Sequence, residues 1–181
     1  EALTFWQEAG PQHRMARDGC TLEEIKKAQK GLRYELAKLG GEGRWEEALA
    51  LLERGKEDMP LNTIVYTAAI AAMAASARWD EALGIFAEMK ELGMMRTVQT
   101  FGALINACAN AAEWEEALRV LRAMDDDPVP PNAHCYSSAM AACANAGEWE
   151  HALALLAEMK GGDEVVAPRP PLPDDDDDGG G

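Results

Sequence analysis

Apolar residues return along this chain on two periods at once, one helical and one of about 35 residues. Trp45, Trp79, Trp114 and Trp149 stand 34, 35 and 35 positions apart and open the phrases WEEALALLE, WDEALGIFAEM, WEEALRVLRAM and WEHALALLAEM. Ala48, Ala82, Ala117 and Ala152 keep step with them, as do Leu49, Leu83, Leu118 and Leu153, and Met89, Met124 and Met159 close three of the phrases. Within one phrase Trp79, Ala82, Leu83, Phe86 and Met89 fall at i, i+3, i+4, i+7 and i+10, one face of a helix. Acidic residues such as Asp80, Glu81, Glu115 and Glu116 occupy its first turn, where they complement the helix dipole.

Upstream of each tryptophan lies a second apolar stretch: YTAAIAAMAASA, FGALINACANAA and YSSAMAACANAG. Each opens on an aromatic (Tyr66, Phe101, Tyr136), and its alanines let neighbouring helices approach closely. GMMRT, DDDPVPPN and GGDEVVAP separate the units with Gly, Pro and Asp turn signals. The unit is therefore a helix–turn–helix that cannot bury its apolar face alone and must stack on its neighbours. The expected fold is all-α: a solenoid of three full repeats, 63–97, 98–132 and 133–167, after a degenerate one, 29–62. In the degenerate unit the second helix (45–57) is clear, and the first, near LRYELAKLG, is weak. Residues 1–28 read as a cap with a helix beginning at Thr21, where Glu24 completes a capping box. Residues 168–181, PRPPLPDDDDDGGG, read as an extended tail. The repeat core is expected at Trp45, Trp79, Trp114, Trp149, Leu83, Leu118, Leu153, Met89, Met124 and Met159.

Composition sharpens this picture. Hydrophobic residues make up 48% and aromatics 6%, which suits helices rich in Ala and Leu and argues against a sandwich or barrel. No apolar run is long enough to span a bilayer, which leaves only peripheral membrane association. Glu1 in place of Met is expected of a fragment or a processed chain, and a targeting segment stays open. Cys20, Cys108, Cys135 and Cys143 lack CxxC spacing, and Cys108 and Cys143 occupy equivalent places in successive repeats, as packing residues would. His134–Cys135 has no matching ligand pair, and Asp174 to Asp178 lack the alternation of a calcium loop. There is no nucleophile motif or phosphate loop, so neither an enzyme nor a cofactor is expected.

The three regular units resemble pentatricopeptide repeats. The likeness rests on the 35-residue length, the aromatic opening the first helix, the Trp-x-x-Ala-Leu helix ending in Met, and the Pro131–Asn132 close. With the degenerate unit before them these units cover about three quarters of the chain, and the 34-residue tetratricopeptide repeat is the near alternative. The resemblance implies a plastid or mitochondrial protein whose first helices line a concave face, and many such proteins bind single-stranded RNA. It also implies one base read per repeat by two residues, the one after the opening aromatic and the last of the repeat. By position these are Thr67 with Thr97, Gly102 with Asn132, and Ser137 with Ala167.

Charge bears on that implication. The net charge is −15, and residues 29–167 hold 12 Lys and Arg against 22 Asp and Glu. The stretches 63–77, 98–112 and 133–147 contain no Lys or Arg, whereas a single-strand binder pairs a basic groove with stacking platforms. The leading expectation is therefore a non-enzymatic scaffold for protein partners, an accessory subunit of an organellar complex, docking a partner on neutral alanine faces. The alternative is a single-stranded RNA-binding repeat protein of organellar RNA processing, stability or translation, and no DNA partner is expected.

Overall fold

The computed structural model describes residues 21–126 and 129–160. Cys20, Ala167, most of the cap and the 168–181 tail lie outside the described residues. Among the described residues there are eight α-helices and no strand: α1 (Leu22–Gly41), α2 (Trp45–Asp58), α3 (Thr63–Ala75), α4 (Trp79–Glu91), α5 (Val98–Ala111), α6 (Trp114–Asp126), α7 (Ala133–Ala146) and α8 (Trp149–Lys160). They divide into two compact units, one ending at Arg96 and the other beginning at Thr97. In the first unit α1 packs on α2 and α3, and α3 on α2 and α4. In the second, α7 packs on α5, α6 and α8, and α5 on α6.

Local chemistry explains where these helices begin. Thr21 caps α1 through a capping box, its hydroxyl accepting from Glu24 N and its own N–H donating to Glu24 Oε2 at 2.8 Å. Asn62 and Asn132 cap α3 and α7, each Oδ1 accepting a backbone N–H at 3.0 Å, from Val65 and Cys135. Thr97 caps α5 and pairs with Thr100.

The first helix of the degenerate unit differs from expectation. Residues 22–41 form one continuous helix of 20 residues, so the expected boundary between residues 28 and 29 falls inside it. No proline or paired glycine interrupts 22–39, and the lone Gly31 is tolerated. The buried face of α1 is Leu32, Leu36 and Gly40.

The interior is built more from alanine, methionine and first-helix residues than from tryptophan. Ala48, Ala82 and Ala117 are wholly buried, with Leu52, Ile70, Met73, Met89, Phe101, Leu104, Ile105 and Met124. Leu118 is buried and Leu83 half-buried. Trp45, Trp79 and Trp114 are half-buried, while Trp149, Leu153 and Met159 are exposed, Trp149 by 64%. The reason is positional. Each tryptophan is the first residue of its helix, so its ring lies at the rim of the pair, where Trp45 and Trp114 are each met by a side chain of the next repeat. The Arg78 guanidinium lies 4.3 Å from the Trp45 ring centroid, and His151 lies 4.5 Å from that of Trp114. Among the described residues nothing covers the outer face of α8 in this way.

Candidate nucleic-acid interface

Each first helix turns one stripe of residues outward, and the sequence decides what that stripe offers. In α3 it is Ile64, Ala68, Ala71 and Ala75, which carry no charge. In α1 the matching stripe carries Lys26, Lys30, Arg33, Tyr34 and Ala37, which helical geometry gathers into an arc of about 100°. Glu24 and Glu35 fall on the other side of the helix, while Glu23 lies within the arc beside Lys26.

Three contacts hold α1 against α3 in this register. Gln29 Nε2 donates to Pro60 O at 2.6 Å, and Asn62 Nδ2 donates to Gln29 Oε1 at 2.7 Å. At the other end the helices nearly touch: a Cβ on Gly40 would lie 2.6 Å from Ala72 Cα. Between these points runs an open groove. One cavity of about 400 Å³ is lined by Arg33, Tyr34, Ala37, Gly40, Gly41, Ala68, Ala71, Ala72 and Ala75. A second, of about 230 Å³, is lined by Lys26, Gln29, Lys30, Arg33, Asn62, Ile64 and Val65. They share Arg33, and no Asp or Glu lines either. Lys26 pairs with Glu23 at 3.0 Å on the open surface, a weak attachment, and Lys30 and Arg33 have no ion pair among the described residues. Tyr34 is 69% exposed.

The expected base-reading residues have other surroundings. Gly102 is buried, and a side chain there would meet His134 at 3.4 Å. Thr97 and Asn132 spend their side-chain oxygens capping α5 and α7. The Ser137 hydroxyl donates to His134 O at 3.0 Å, and Thr67 is half-buried. The second unit does expose amides on its first helices: Asn106 and Asn110 on α5, and Asn145 on α7, whose Nδ2 donates to Ala109 O at 2.8 Å. The basic stripe of α1 was visible in the sequence as Lys26, Lys30 and Arg33 at i, i+4 and i+7. It lies on the weakly patterned first helix of the degenerate unit, whereas the three regular first helices carry no cation.

The thiols are inert packing. Cys108, Cys135 and Cys143 are buried and free. Burial, with Glu116 and Glu113 nearby, pushes Cys108 up to about 12, and burial also raises Cys143. Among the described residues no group of three His, Cys, Asp or Glu is placed to hold a metal, and no helix is long and apolar enough to cross a membrane.

Sequence profiles of the PPR repeat family match residues 61–110 and 96–145, and a profile of the single PPR repeat matches 134–163. The chain belongs to the pentatricopeptide repeat family. Its all-α repeat fold is similar to the crystal structure of the pentatricopeptide repeat protein PPR10 from maize, with 29% identity and a TM-score of 0.61. That likeness covers 77% of this chain and 21% of the maize chain, so this chain spans about a fifth of that protein's length. A search of the curated proteins finds no match.

Proposed function

We propose that this pentatricopeptide repeat chain binds single-stranded RNA along the exposed faces of its first helices, with the α1–α3 groove as its point of strongest attraction. The observation that carries the reading is the cluster of Lys26, Lys30, Arg33 and Tyr34 beside a groove free of carboxylates. Cations and an open aromatic ring on one groove are the two ingredients of single-strand binding. The family membership supports the same reading, since many of its members bind RNA. The scaffold expectation rested on first helices without cations, and α1 supplies them. Family membership is also what supports an organellar site of action.

Fluorescence-anisotropy titration of a labelled single-stranded RNA at low salt tests the proposal. Saturable binding is expected, weakened at least ten-fold by the double variant Lys30→Glu/Arg33→Glu, because each substitution replaces an attraction with a repulsion. No binding at tens of micromolar protein, or a double variant that binds as well as the parent, would overturn it. A stable protein assembly recovered without RNA by affinity purification would return the scaffold to first place.

A further inference from the structure

The α1–α3 groove is unusual among the first-helix surfaces in what it lacks. Its rim carries Lys26, Lys30 and Arg33, and its one large exposed ring, Tyr34, stands beside the larger cavity. Yet the side chains facing that ring across the groove are Ala68, Ala71 and Ala75, which have no donor or acceptor to offer a base edge. Reading a base requires hydrogen bonds to its edges, whereas stacking requires only a flat face, which every base has. The same register on α5 carries Asn106, whose exposed amide offers both a donor and an acceptor.

We infer that the α1–α3 groove holds one unpaired base flat against the Tyr34 ring, with its flanking phosphates on Lys30 and Arg33, and does so whichever base it is. The groove is then an identity-blind anchor. Whatever sequence preference the chain has arises elsewhere, where polar side chains face outward. This rests on the RNA reading above and adds to it a residue, a mode of contact and a lack of selectivity.

The test uses the full chain with Tyr34→Ala and Tyr34→Phe, titrated against short labelled oligo(U), oligo(C) and oligo(A). Tyr34 is largely exposed, so neither variant should alter the circular dichroism or the unfolding midpoint. Tyr34→Ala should weaken binding to every oligonucleotide about ten-fold, by similar factors, with the salt slope unchanged. Tyr34→Phe, which keeps the ring and loses the hydroxyl, should bind like the parent. If Tyr34→Ala binds as tightly as the parent while Lys30→Glu/Arg33→Glu does not, the stacking inference fails and the RNA reading survives. If the loss falls on one base alone, the groove is a reader and the inference fails. If the parent binds no oligonucleotide, both fail together.

Discussion

The turn inside each helix pair passes through one left-handed residue: Gly43, Ala77, Ala112 and Gly147, with φ of 73°, 54°, 60° and 86°. The hydrogen bonds repeat as well; Ala112 N–H donates to Ala109 O at 3.2 Å and Glu113 N–H to Cys108 O at 2.9 Å, as Gly147 and Glu148 do to Ala144 and Cys143. Glycine enters this region without strain, whereas a Cβ costs about 1–2 kcal/mol. Part of that is offset by the greater freedom of glycine in the unfolded chain. Ala112→Gly should therefore stabilise the protein by about 0.5 kcal/mol, seen as a raised urea midpoint at constant m-value. Tyr66 is a buried phenol. Its hydroxyl donates to Glu88 Oε1 at 3.0 Å, and Lys56 Nζ reaches Glu88 Oε2 at 2.5 Å and Glu53 at 2.7 Å. Burial first, and Glu88 next, raise the Tyr66 phenol well above its ordinary value. A raised folded value means stability that is complete below about pH 10 and lost as the pH climbs past it. Thermal melts between pH 8 and 11.5 should show this loss, and Tyr66→Phe should make it shallower. The buried thiols of Cys108 and Cys143 should resist Ellman's reagent in a Cys20→Ser background and react fully in urea.

At the scale of elements, the pairing of α1 with α3 depends on a missing side chain. Gly40 meets Ala72 backbone to backbone, and the contact is rigid, since the nearest atom is a Cα. Gly40→Ala should cost about 1–3 kcal/mol by overpacking and widen the groove, so RNA affinity and unfolding midpoint should fall together. The exposed control Gly31→Ala, where nothing lies within 4 Å, should not destabilise. The second helices behave alike in sequence and differently in place. Trp114 is half-covered with His151 against it, while Trp149 at the equivalent position is 64% exposed. Trp114→Ala should therefore cost clearly more than Trp149→Ala, by about 1–2 kcal/mol of transfer energy. Equal losses in chemical denaturation would contradict this account. That a tryptophan recurs was legible in the sequence. How deeply each ring lies was not, because cover comes from the neighbouring repeat.

For the molecule as a whole, a net charge of −15 opposes any polyanion, so binding must rely on a local cluster and fade quickly with salt. Three cations on α1, each neutralising one phosphate, imply a slope of about −2 in log K against log salt, at about 0.7 per phosphate on a single strand. Lys30→Glu/Arg33→Glu should flatten that slope, while Tyr34→Ala should not.

Read alone, the chain declared its helices, their 35-residue repeat, the Thr21–Glu24 cap and the family, because these depend on spacing between near neighbours and on turn residues. The packing of α1 against α3, the rim position of the tryptophans and the structural employment of Thr97 and Asn132 came only with the fold. Those depend on which helix lies beside which. The charge of the groove belongs to that second group: Lys26, Lys30 and Arg33 look like an ordinary solvated stripe until Gly40, Gln29 and Asn62 set them beside α3.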